Sequence, residues 1–166
     1  MIRFGVVGLR GMGRQHLKKI ADSSEAELVA VADLDEGLLR STTSEYGVSS
    51  WPGHRQMIEG EELDAVVIAT PHHLHGPMGL ECLESGLHTF VEKPIAITVS
   101  EADRLIEAAR SLELKLAVGH DYRTFPGNRA MKSLLDSGRL GDLHRILWMW
   151  LETRTEAYYD RDIWRC

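Results

Sequence analysis

Apolar and polar positions along this chain follow two rhythms. Short apolar runs recur at residues 2–8 (IRFGVVG), 27–33 (ELVAVAD), 64–69 (DAVVIA), 88–92 (HTFVE) and 115–119, with a weaker one at 48–51. Between them the apolar residues fall three and four apart, as on one face of a helix. Residues 12–22 place Met12, His16, Leu17 and Ile20 near one face. Further helices are expected at 35–46, closed by Gly47, at 53–59, and at 74–85, stopping at Gly86. Thr98-x-x-Glu101 forms a capping box that opens another helix, to about residue 112. The 64–69 run is almost wholly apolar, which suits a central strand covered on both faces.

Strand and helix therefore alternate from residue 2 to about 120. Such alternation predicts an α/β domain with a doubly wound parallel sheet and right-handed crossovers. Its expected extent is 1–122, with 123–166 belonging to the beginning of a second domain. There a helix is expected over 126–137, and a strand over 143–152 (LHRILWMWLE). Leu143, Arg145, Leu147, Met149 and Leu151 share one face of that strand, and His144, Ile146, Trp148, Trp150 and Glu152 the other. Large apolar groups on both faces call for cover on both sides, and the remaining residues offer no obvious sheet to supply it.

Composition changes this picture little. Apolar residues make up 43% and charged residues 27% of 166, and the formal charge is −6, ordinary for a globular domain. Scattered Lys and Arg give no basic patch for nucleic acid or an anionic membrane. No apolar run approaches the roughly 18 residues of a membrane span, and the N-terminus reads as a strand and turn rather than a signal peptide. Two cysteines, Cys82 and Cys166, make no disulfide framework or metal cluster. Cys82 is expected in the core, and the default setting is a reducing cytoplasm.

The candidate chemistry lies where the strands end. Gly8, Gly11 and Gly13 follow the first run, between strand and helix. A dinucleotide turn needs glycine for a tight bend, for close approach to the pyrophosphate and for packing of helix on strand. The usual spacing would place glycine where Arg10 stands. Arg10 must turn away from the pyrophosphate or lie over it as a cationic lid, and the lid is the expectation. Arg10 and Met12 are counted with the glycines as cofactor-binding. Asp33 ends the second run, 20 residues after Gly13. An acid there accepts hydrogen bonds from the adenosine ribose and repels a 2′-phosphate, favouring NAD over NADP. Leu34 brings no positive charge to reverse that preference, and Asp35 can cap the following helix, leaving Asp33 free.

Two more motifs follow later strands. In ATPHHLH, residues 69–75, His72 and His75 are expected to line the nicotinamide and substrate side, and His73 to be solvated. A metal held by the three histidines is the competing reading, disfavoured because adjacent side chains rarely converge on one ion and no acidic or cysteine partner is evident. No metal is expected. Glu92-Lys93-Pro94 follows the fifth strand. A Glu-Lys pair is often only a solvated ion pair, but here Lys93 can hydrogen-bond a substrate hydroxyl and help move its proton.

Together GVVGLRGMGRQH, VAVADLD, ATPHHLH…EKP, LAVGHDYRTFP and SGRLGDLHRI resemble the Gfo/Idh/MocA oxidoreductases. The resemblance implies a Rossmann domain followed by an α/β domain with a large open sheet. It implies an NAD(P)-dependent dehydrogenase acting on a secondary alcohol of a sugar, cyclitol or related polyol. Gly8, Gly11 and Gly13 would hold the pyrophosphate, and Asp33 the adenosine ribose. Thr70, Pro71 and His75 would line the middle of the cofactor. Glu92 and Lys93 would approach the nicotinamide ribose, with Lys93 also reaching substrate, and Arg123 would border the nicotinamide. Arg10, His72 and Asp121 depart from the family's usual residues, which bears on cofactor geometry and substrate preference.

Members of that family are longer. The ending DRDIWR, residues 160–165, resembles the segment before their remaining active-site residues. The chain is therefore expected to be the cofactor-binding part of a larger enzyme, with little turnover alone and a tendency to form homo-oligomers through its uncovered strand. A non-catalytic NAD-binding sensor or regulatory module is the alternative.

Overall fold

The computed structural model describes residues 1–160. The DRDIWR motif beyond Asp160, and Cys166, lie outside the described residues. The chain divides into two compact units, Met1–Gly119 and a second beginning at His120.

In the first unit each apolar run becomes a strand: β1 Ile2–Val7, β2 Ala26–Ala32, β3 Ser49–Trp51, β4 Ala65–Ile68, β5 His88–Val91 and β6 Leu116–Val118. Every pairing is parallel, and the order across the sheet is β3-β2-β1-β4-β5-β6. The chain starts at β1, winds outward through β2 and β3, then returns to the other side of β1 for β4. This is the doubly wound order in which ligands bind beyond the carboxyl ends of the central strands.

Alternate residues of the strands feed two cores. Val6, Val31 and Val67 pack on one face with Leu17 and Ile20 of α1 (Met12–Ala21) and Leu39 of α2 (Glu36–Tyr46). Val7, Ala30, Ala32, Val66 and Ile68 pack on the other, with Met57 of α3 (His54–Gly60) and Cys82 of α4 (His75–Glu84). All four residues of β4 are buried, as its apolar run requires. Burying one such side chain stabilises by about 1.5–3 kcal/mol. Leu105 and Ala109, four apart on α5 (Val99–Ser111), bind that helix to Leu83.

Local signals set the helix ends. The Asp35 side chain accepts hydrogen bonds from the amides of Gly37 and Leu38 and caps α2. Gly47 ends that helix with φ of 68°. Thr98 caps α5 by accepting from the Glu101 amide, while Glu101 reaches back to the amide of Ile97.

The second unit holds a short 3₁₀ turn at Asp121–Arg123, α6 at Pro126–Asp136 and α7 at Glu156–Asp160. The helix expected at 126–137 is present. The strand expected at 143–152 is not: residues 143–155 carry no regular element. A strand's hydrogen bonds come from a neighbour, unlike a helix's. Among the described residues of this unit there is no other strand to supply them.

Candidate functional site

The candidate residues of the first unit come from segments far apart in sequence, yet all lie just beyond the carboxyl ends of neighbouring strands. The loop from Gly8 to Gly13 follows β1, Asp33 follows β2, Ala69–His75 follows β4, and Glu92–Pro94 follows β5.

The β1 loop is shaped by close packing. Gly8 has φ of 87°, and a Cβ there would stand 2.7 Å from the Ala69 carbonyl oxygen. A Cβ on Gly13 would collide with the Gly8 carbonyl. Glycine is thus required where the turn meets the β4 loop and where α1 packs onto the turn. Gly11 has open space beside it, and it is its φ of 49° that calls for glycine. It is the N-cap of α1, whose first turn carries neither an acidic residue nor a capping side chain. An uncapped helix start of this kind offers amide donors and a positive dipole end to an anion. Met12 is half-buried in that first turn.

Asp33 is held by the backbone. One carboxylate oxygen accepts from the Leu9 amide at 2.8 Å, the other from the Asp35 amide at 2.9 Å. Each oxygen keeps a further lone pair for another donor. The carboxylate therefore joins the phosphate-type loop to the β2–α2 turn while still able to accept a hydroxyl. Arg10 bridges the same two loops: its guanidinium donates to Asp35 at 2.6 Å. The Leu38 amide above all, with the Gly37 amide and the Arg10 guanidinium, holds the Asp35 carboxyl below its ordinary range.

Beyond β4 the three histidines part company. His73 is exposed, and His72 half-buried on a 3₁₀ turn. His75 is buried, its ring between the carbonyl oxygens of Thr70 (Nε2, 2.8 Å) and Pro94 (Nδ1, 2.6 Å). It sits between the β4 and β5 loops, with a backbone carbonyl facing each ring nitrogen. Thr70 and Pro71 are half-buried. No group of three His, Cys, Asp or Glu side chains among the described residues is arranged to hold a metal ion.

Glu92 is not a solvated partner of its neighbouring lysine. It is 5% exposed and faces inward. One oxygen lies 2.7 Å from His16 Nε2, and the other accepts from the Lys93 amide at 3.2 Å. Burial acts to raise the Glu92 carboxyl, but the His16 hydrogen bond and charge, with the Lys93 amide, outweigh it and hold the group below its ordinary value. Lys93 itself is exposed. The sequence marked His16 only as one residue on the inner face of a helix. A polar side chain on that face, one turn beyond the glycine loop, was the available signal. Arg123 belongs to the second unit, exposed on its 3₁₀ turn.

The strand order and the chemistry at the strand ends define a dinucleotide-binding domain of the doubly wound class. The chain belongs to the Gfo/Idh/MocA oxidoreductase family, whose NAD-binding Rossmann fold matches residues 2–120. It is 36% identical over 142 residues to an inositol 2-dehydrogenase of Rubrobacter xylanophilus, covering 84% of this chain and 41% of that protein. It is 28% identical over 146 residues to a glucose-6-phosphate 3-dehydrogenase of Bacillus subtilis, covering 88% of this chain and 41% of that one. The WlbA dehydrogenase of Bordetella pertussis, solved in complex with NADH and UDP-GlcNAcA, superposes with a TM-score of 0.89 at 29% identity. That match covers 99% of this chain and 50% of the other. The chain thus spans about two-fifths of the curated relatives it matches.

Proposed function

We propose that this chain forms the NAD site of a dehydrogenase that oxidises a secondary alcohol of a sugar, cyclitol or related polyol. One observation carries the reading: the glycine loop, Asp33, Thr70–His75 and Glu92–Lys93 gather at the carboxyl ends of four strands of one parallel sheet. Relatives that share this domain are named as dehydrogenases of inositol and of glucose 6-phosphate.

Bound NAD would supply the hydride acceptor. The chain's own residues bind and orient. Gly8, Gly11 and Gly13, with the start of α1, receive the pyrophosphate. Asp33 accepts from the adenosine ribose hydroxyls, with Arg10 beside it across Asp35. Thr70, Pro71 and His72 line the middle and the nicotinamide side, on a loop that His75 holds in place. Lys93 hydrogen-bonds the substrate hydroxyl and helps move its proton. Arg123 is assigned to the nicotinamide border on the family resemblance. The rest of the substrate site is assigned to the part of such enzymes that this chain does not span, so the chain alone is expected to turn over little or no substrate.

The same reading extends to assembly. Leu147, Met149 and Leu151 are 80%, 71% and 88% exposed. A second copy of the chain is the proposed cover, so light scattering at micromolar concentration is expected to give a dimer or larger species, and a monomer would contradict it. A reducing, cytoplasmic setting accompanies the reading.

Titration calorimetry tests the cofactor assignment. The chain should bind NAD at least tenfold more tightly than NADP, about 1.4 kcal/mol. Failure to bind either would overturn the reading, and preference for NADP would remove Asp33 from its proposed role.

A further inference from the structure

His16 lies one turn into α1, the helix whose start faces the glycine loop, yet its ring reaches the far end of β5. Its Nε2 stands 2.7 Å from Glu92, and its ring meets Phe90 edge-on at 5.0 Å. Both partners are nearly enclosed, with side-chain exposures of 14% for His16 and 7% for Glu92. The other Glu92 oxygen accepts the Lys93 amide. Gly119, hydrogen-bonded to Val91, closes the remaining side so tightly that a Cβ there would stand 2.8 Å from the carboxylate. The carboxylate thus has little room to move.

Lys93 is therefore the exposed tip of a turn pinned on both flanks. His16 holds Glu92 before it, and His75 holds the carbonyl of Pro94 after it. We propose that His16 is a positioning residue for the nicotinamide half of the site, acting through Glu92 on the backbone that carries Lys93. The proposal rests on the dinucleotide reading given above. A buried carboxylate that loses its partner is left uncompensated and must move or take up a proton. Either change disturbs the Lys93 amide it now accepts from. The glycine loop and Asp33 are held by other contacts, so the adenosine and pyrophosphate half keeps its shape. A pair serving only to fasten α1 to β5 would affect both halves alike.

The test compares NAD with ADP, which lacks the nicotinamide and its ribose, using the chain as it is. Wild type, His16→Ala and His16→Gln are titrated with each ligand, after circular dichroism confirms their fold. His16→Ala should weaken NAD binding on the order of tenfold and leave ADP within about twofold. His16→Gln, which can still donate to Glu92, should restore most of the NAD affinity. In amide nuclear magnetic resonance spectra the Lys93 signal should move in His16→Ala while that of Leu9 stays. Equal loss for both ligands, or no loss for either, would overturn the proposal. If His16→Ala does not fold, His16→Asn replaces it, its side chain being too short to reach Glu92, with the same expected and contrary results. Wild-type binding of ADP is the control: its absence would overturn the dinucleotide reading itself, and with it the proposal.

Discussion

The two units of this chain are built from similar apolar patterns with opposite outcomes. In Met1–Gly119 the patterned residues are enclosed: Val6, Leu17, Val31, Met57, Val66 and Ile68 have no exposed surface. Between His120 and Asp160 no residue is buried, although Leu143, Ile146, Leu147, Trp148, Met149, Trp150 and Leu151 are as apolar as any strand of the first unit. The difference is the partner. β4 lies between β1 and β5 under helices on both faces, whereas the 143–152 segment has no neighbouring strand among the described residues of its unit. Amphipathic pattern is a demand for cover, and it becomes structure only where cover exists.

The sharpest way to break this contrast is to cut equally into both units. Ile68→Ala should cost about 2–5 kcal/mol by opening a cavity in the central strand. Leu147→Ala, measured at a dilution where copies do not associate, should stay within about 0.5 kcal/mol. Urea unfolding of both variants checks this, and comparable losses would show that the second unit contributes a core of its own.

A smaller effect tests how the helices of the first unit are joined. Glu81 of α4 accepts from Arg55 and His54 of α3, and mainly through the Arg55 bonds, which outweigh burial, its carboxyl is lowered to about 2 from 4.5. The folded value is depressed, so the stability it contributes is complete above pH 4.5 and is lost as pH falls toward 2. Glu92, also lowered, adds in the same direction. Glu81→Gln should cost about 1–2 kcal/mol at neutral pH and flatten the acid limb of the urea midpoint against pH. An unchanged limb would assign the acid sensitivity elsewhere.

Chemistry at the core gives a third contrast. Burial pushes the Cys82 thiol up to about 12. Peptide mapping after treatment with a thiol reagent at pH 8 should find Cys82 unlabelled in the folded chain and labelled in urea. The smallest effect is expected at Arg10, whose ion pair with Asp35 is largely exposed. Arg10→Gly should change stability by less than about 1 kcal/mol and weaken NAD binding modestly; tighter binding would mean that the side chain only crowds the turn.

Much of this was legible in the sequence, for identifiable reasons. Short-range signals carried the elements: the unbroken apolar run of β4, Asp35 as a cap, Gly47 as a left-handed stop, the Thr98 box. Candidate site residues could be placed because strand ends are where a parallel sheet exposes its loops. What could not be read depended on distance. His16 and Glu92 are 76 positions apart, and nothing in EKP tells that its glutamate turns inward. ATPHHLH looks like one cluster of three like residues, yet backbone carbonyls select His75 alone for burial. The 143–152 pattern is that of a strand, but a ladder needs two chains or two segments, and a pattern specifies only one of them.

The central claim is that four loops at the carboxyl ends of β1, β2, β4 and β5 form one NAD site. Amide chemical-shift mapping during NAD titration tests it most directly. The account predicts that the largest shifts fall together on Gly8–Gly13, Asp33, Thr70–His75 and Lys93. Shifts absent from these loops, or gathered on another surface of the domain, would contradict it.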